Sequence, residues 1–125
     1  MRGSKKDLPK TMETGDFVIQ EAVWGDMHVE YGVFNKQFDV TPYLKGLPGD
    51  RDTCPHWGYV MKGRMRCIVK GREEVFNAGD LYYMEPGHTA VVDAGTEYVE
   101  FSPREAYEKT MKVVARNIEE LQKKK

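Results

Sequence analysis

Hydrophobic and polar residues alternate with period two along most of the chain and switch to helical spacing near its end. In MHVEYGVF, Met27, Val29, Tyr31 and Val33 alternate with His28, Glu30, Gly32 and Phe34, which predicts a half-buried strand. FVIQEAVW before it is equally rich in β-branched and aromatic residues, with Gly25-Asp26 as the turn between them. NKQ then separates the pair from a short FDV. From His56 the strands come densely: HWGYVM, RMRCIV, EEVF, LYYME, HTAVVD and TEYVEFS, separated by glycine-bearing turns from Lys62-Gly63 to Ala94-Gly95. Short strands at this spacing predict a two-sheet sandwich or barrel. TPYLKGLPGDRDTCP, with three prolines and two glycines, is irregular and predicts either a lid or a surface cover over a sheet edge.

The period changes after Ser102. Ser102-Pro103-Arg104-Glu105 reads as a capping box with proline opening a helix. Tyr107, Met111, Val114, Ile118 and Leu121 then recur at helical spacing, with Thr110 and Asn117 beside them. The expected organisation is a mobile arm over 1–16, a barrel over 17–102, and a C-terminal helix and tail over 103–125. The helix is placed over about 103–122, its apolar stripe packed on the outside of a sheet, with docking to a partner as the alternative.

Composition narrows the function classes. The 125 residues suit one domain. With 19 basic and 20 acidic residues the net charge is −1, so a strongly basic nucleic-acid binder is excluded. Lys123-Lys124-Lys125 reads as a solvated tail. Two cysteines make no disulfide framework. The polar start carries no apolar run, so no membrane partner and a cytoplasmic location with reduced thiols are expected.

Candidate chemistry concentrates on two strands. After Pro55, His56, Gly58 and Val60 share one face. After Gly87, His88, Ala90 and Val92 do the same. Small residues beside each histidine leave room for a ligand. Tyr82-Tyr83 put one ring on each face, and Tyr83 is the candidate for the pocket, together with Tyr43 from the irregular segment. Cys54 shares a face with His56, with a buried, inert thiol as its default fate. Cys67 reads as core, Arg64 and Arg66 as solvated sheet residues, and His28 as a surface or edge residue.

PHWGYVMKGRMR and REEVFNAGDLYYMEPGHTAVV together resemble the two motifs of the cupin superfamily. Tyr59-Val60-Met61-Lys62-Gly63 ends the first; Gly79-Asp80 through Pro86-Gly87-His88 forms the second. The resemblance covers roughly residues 25–102 and is greatest to small single-domain bacterial cupins. It implies an all-β fold, the double-stranded β-helix or cupin jelly roll, with a C-terminal amphipathic α-helix. It also implies a homodimer.

Metal-binding members of that superfamily bring a His-x-His pair, a carboxylate a few residues later, and a histidine from the second motif. This chain has three histidines, none paired so. His56 falls where the glutamate of that pattern stands. The paired positions fall on Asp50 and Asp52, or near Thr41 and Tyr43 if the loop is an insertion. His88 matches the second-motif histidine with a shortened turn. A divalent transition metal (Mn, Fe, Ni or Zn) would thus rest on His56, His88 and Asp52. The alternative is that both histidines are hydrogen-bonded polar groups lining a pocket.

Three functions remain: a metal-dependent enzyme (isomerase or dioxygenase type) for a small organic acid, sugar or amino-acid derivative; a metal-free enzyme with His56 or His88 as acid–base; and a non-catalytic small-molecule binding module. The expected ligand-binding set is His56, Gly58, Val60, Tyr83, His88, Ala90 and Tyr43, with His56 and His88 catalytic.

Overall fold

The structure is a computed structural model that describes residues 1–123. Of the expected lysine tail, Lys124 and Lys125 lie outside the described residues. The strands are β1 (Lys10–Glu13), β2 (Phe17–Trp24), β3 (Met27–Phe34), β4 (Phe38–Asp39), β5 (His56–Lys62), β6 (Arg64–Val69), β7 (Arg72–Asn77), β8 (Leu81–Met84), β9 (His88–Val92) and β10 (Thr96–Pro103), followed by helix α1 (Arg104–Lys123). They form two antiparallel sheets, ordered β1-β2-β3-β10-β5-β8 and β4-β9-β6-β7. The last strand, β10, lies between β3 and β5, so the chain rolls up rather than meandering. Turn glycines permit the tight returns. At Gly63 (φ +81°) a Cβ would also sit 2.4 Å from Thr96 Oγ1, so only glycine fits.

The hydrophobic interior follows the alternation. Phe17, Phe34, Val60, Met65, Phe76, Ala90 and Val92 face each other between the sheets. Phe17 and Phe34 stack at 5.2 Å, and Phe38 meets both edge-on or tilted. Burying such side chains contributes about 1.5–3 kcal/mol each. On β3 the more polar set is the inner one. His28, Glu30, Gly32 and Phe34 point inward, and Met27, Tyr31 and Val33 outward. The expected surface residue His28 is therefore only 5% exposed. The reason is that this end of the interior is polar. The outer face is partly sheathed by residues before Phe17, as where the Gln20 side-chain amide donates to the carbonyls of Lys5 and Leu8 at 2.8 Å. That segment, expected as a mobile arm, supplies β1 and pairs with β2.

Two inward glycines make room for tyrosines on other strands. Gly32 lies opposite Tyr98, and Gly58 opposite Tyr82. A Cβ at Gly58 would fall 2.3 Å from the Tyr82 ring and 2.6 Å from the Val99 carbonyl oxygen. Gly58→Ala is expected to cost about 1–3 kcal/mol by overpacking. Chemical denaturation reads the loss; the expectation fails if the variant is as stable as the parent.

The irregular segment forms two short helical turns, Thr41–Leu44 and Pro48–Asp50. Leu44 and Leu47 pack against Val114 of α1. Asn117 ties the helix down by donating to the carbonyls of Tyr43 and Lys45, each at 2.8 Å. Helix and segment together cover one end of the barrel. The stripe on α1 thus serves the barrel's own mouth rather than the outside of a sheet. No helix among the described residues is long and apolar enough to cross a membrane.

Candidate functional site

Under that cover lies a cavity of about 160 Å³. His56 reaches it as the first residue of β5 and His88 as the first of β9. Their rings meet nearly edge-on, centroids 5.0 Å apart at 78°, so the two histidines converge across the interior as the strand alternation requires. Asp52 is brought to them by the segment before β5. Its N–H donates to the His88 carbonyl at 2.8 Å, and the His88 N–H donates back to the Asp52 carbonyl at 3.1 Å. This isolated bridge fixes the carboxylate beside both rings. Asp52 Oδ2 lies 3.0 Å from His56 Nε2 and 3.5 Å from His88 Nε2.

The far nitrogens are occupied. His88 Nδ1–H donates to the Glu85 carbonyl at 2.8 Å. His56 Nδ1 lies 2.6 Å from Ser102 Oγ and 3.6 Å from Glu100. Ser102 was expected to cap α1, but β10 runs on to Pro103, so its hydroxyl points inward as a strand side chain. The first helical N–H, on Arg104, instead donates to the Asp26 carbonyl at 2.8 Å. Ser102→Ala leaves a buried imidazole N–H without this partner, expected to cost about 1–3 kcal/mol. A thermal melt unchanged from the parent would contradict that.

The charges follow from these contacts. Burial opposes the charge on Asp52, but hydrogen bonds from His56 and His88 outweigh it and hold the carboxyl well below the usual carboxylate range. Burial likewise disfavours an imidazolium at His56, yet Glu100 and the bond to Asp52 raise it well above the ordinary histidine value. These contacts favour the imidazolium form of His56, which lies between Asp52 and Glu100.

Beside this triad runs a row of acids. Glu21, Glu30 and Glu100 are neighbours in register across β2, β3 and β10, with Gly58 and Tyr82 continuing the row. Tyr98 donates to Glu30, and Tyr82 donates to Glu100 at 2.7 Å. Tyr107 of α1 donates to Glu21 at 2.9 Å and stacks on His28 at 3.4 Å, while His28 Nε2 contacts Glu21. Burial and the neighbouring carboxylates raise all three phenols, so they remain donors at neutral pH. Among the described residues, two groups of donors are close enough to share a cation: Asp52, His56 and His88, and Glu21, His28 and Glu30.

Of the expected site residues, His56, His88, Asp52 and Ala90 line the cavity. Others lie elsewhere. Tyr83 points outward, 47% exposed, its ring against Trp57 at 5.1 Å; its neighbour Tyr82 is the inward ring. Tyr43 stacks on Phe38 at 5.1 Å, outside the lining. Val60 is wholly buried in the core, and the space at Gly58 belongs to Tyr82. Asp50 is exposed and accepts from the Gly46 N–H at 3.0 Å; its backbone turns away where Asp52 turns in. Cys54 is buried, and burial pushes the Cys67 thiol up to about 11, which suits core packing rather than nucleophilic chemistry. Ser102, Glu30 and Glu100 were missed. The inward alternation on β3 and β10 was the available signal.

No family model and no curated protein matches the chain. Solved structures do. An RmlC-like cupin from Shewanella frigidimarina superposes with TM-score 0.58 at 17% identity, covering 82% of this chain and 88% of that one. KdgF from Halomonas sp. gives 0.57 at 16%, covering 82% and 96%. The polyketide cyclase RemF from Streptomyces resistomycificus gives 0.58 at 12%, covering 83% and 79%. At these identities the shared feature is the architecture. The two rolled antiparallel sheets and the superposition over most of each chain establish this as a small protein of the cupin fold.

Proposed function

We propose that the protein binds a small organic molecule at the barrel mouth and acts on it as an enzyme dependent on one divalent transition metal, held by Asp52, His56 and His88. The observation that carries this reading is the common direction of three donors. Both Nε2 atoms face the same Asp52 oxygen, while Glu85 and Ser102 occupy the opposite nitrogens. Tying off Nδ1 in this way fixes ring orientation in metal sites. Two imidazoles and a carboxylate suit Mn, Fe, Ni or Zn, and the same set serves non-haem iron in oxygenases. A bound ion supplies Lewis acidity and a template for the substrate. The chain's own residues orient the donors, and the apolar walls with α1 overhead exclude water. Isomerisation and dioxygenation are the reaction types this arrangement serves.

One observation favours a second reading, a metal-free binding module: the 3.0 Å contact between Asp52 and His56 already satisfies both groups as an ion pair. Elemental analysis of protein purified without a tag separates the two. One first-row metal per chain supports the enzyme reading. No metal, and a melting temperature indifferent to chelator, supports the binding module.

The protein is proposed to act as a homodimer. On the outer face, Phe101, Trp57 and Tyr83 are neighbours in register, as are Val99, Tyr59 and Leu81, and β8 is an edge strand. Exposed apolar patches of this kind mark interaction surfaces. Trp57→Glu is expected to shift the mass in light scattering from two chains to one; a parent that is already monomeric overturns the assignment.

A further inference from the structure

Acids outnumber cations along the cavity, where the His56 imidazole faces Asp52 and Glu100. Glu21, Glu30, Asp52 and Glu100 line it, and among the described residues no lysine or arginine does. Glu30 and Glu100 are each 8% exposed and adjacent in register, with only phenols and the His56 edge as partners. Like charges directly opposite on a sheet repel. An ion at Asp52, His56 and His88 would leave this pair uncompensated.

We propose that the cavity takes a small primary amine, its protonated nitrogen seated at Glu30 and Glu100 and its apolar body against Phe17, Phe34, Met65 and Val92. This rests on the reading of the mouth as a ligand site and names the class of molecule that fits it. The remaining walls decide the body: apart from the acids, the two histidines, two threonines and the tyrosine hydroxyls, the lining is aromatic and aliphatic, so a polyhydroxylated sugar would lose more hydrogen bonds to water than these groups replace. The volume of about 160 Å³ matches cavities that hold a molecule near the size of benzene, which limits the body to about one ring. A small organic acid fits poorly, because its carboxylate would face Glu21, Asp52 and Glu100 with no lysine or arginine to receive it.

Three probes of one shape test this on the full-length protein as purified: benzylamine, benzyl alcohol and benzoate. Titration calorimetry gives affinities, and side-chain NMR of His56 and His88 reports binding at the mouth. Benzylamine is expected to bind about tenfold or more tighter than benzyl alcohol, with benzoate weakest. Glu30→Gln and Glu100→Gln should each shrink that preference without abolishing binding of the alcohol. If benzoate or the alcohol binds as well as the amine and still shifts His56 and His88, the amine assignment is overturned and the ligand site stands. If none of the three shifts those histidines, the ligand-site reading falls with it.

Discussion

Replacing His88 by alanine lowers affinity for a divalent metal by more than about 100-fold while the barrel stays folded. Loss of a group that merely orients a ligand costs 10–100-fold, and loss of the ligand itself exceeds that. His88 is well suited to the test. Its backbone holds Asp52 through the paired bonds at 2.8 and 3.1 Å, and alanine preserves both. Its side chain bonds the Glu85 carbonyl at a turn and faces Asp52 Oδ2 at 3.5 Å. The secondary-structure content by circular dichroism should therefore match the parent while metal content drops. A variant that retains stoichiometric metal contradicts the assignment of His88.

Glu30→Gln stabilises the protein at neutral and alkaline pH and flattens its pH dependence. Burial, then repulsion from Glu100, push the Glu30 carboxyl from 4.5 to about 8 in the folded chain. Between those values the folded state keeps a proton that the unfolded state sheds, so stability falls as pH rises. The contribution is fully present below about 4.5 and is lost as pH climbs through about 8. Glutamine keeps the shape and an oxygen for the Tyr98 hydroxyl but has no charge to bury. At pH 7.5, about three units above the unfolded value, the gain is on the order of 4 kcal/mol, at about 1.4 kcal/mol per unit. Urea denaturation of both proteins from pH 4.5 to 8.5 measures it. Parallel curves would show that Glu30 carries no such penalty.

The strands were legible because alternation and turn glycines coincide: β2, β3 and β6 occupy the segments that pattern marks. The convergence of His56 and His88 was legible for the same reason, since period two fixes which side chains share a face. The inner face of β3 was not. Met27, Val29, Tyr31 and Val33 are the more apolar set, yet His28 and Glu30 turn inward, because Tyr98 and Tyr107 donate to Glu30 from β10 and α1 while His28 contacts Glu21 of β2. Nothing local to β3 records those partners. Ser102 shows the same limit: its spacing to Glu105 fits a helix cap, but the pairing of β10 with β3 runs through Pro103 and decides its direction. Asp52 was one of several acids within reach, and its selection over Asp50 depends on the bridge to His88, a contact across 36 positions of sequence.

Nitrogen-detected NMR of the three histidine side chains, during titration of chelator-treated protein with Zn²⁺, tests most directly whether one ion is held at the mouth. The account predicts saturation at one equivalent, with the Nε2 signals of His56 and His88 shifting together and His28 unmoved. Signals from His56 and His88 that stay in place, or a response confined to His28 beside Glu21 and Glu30, would contradict it.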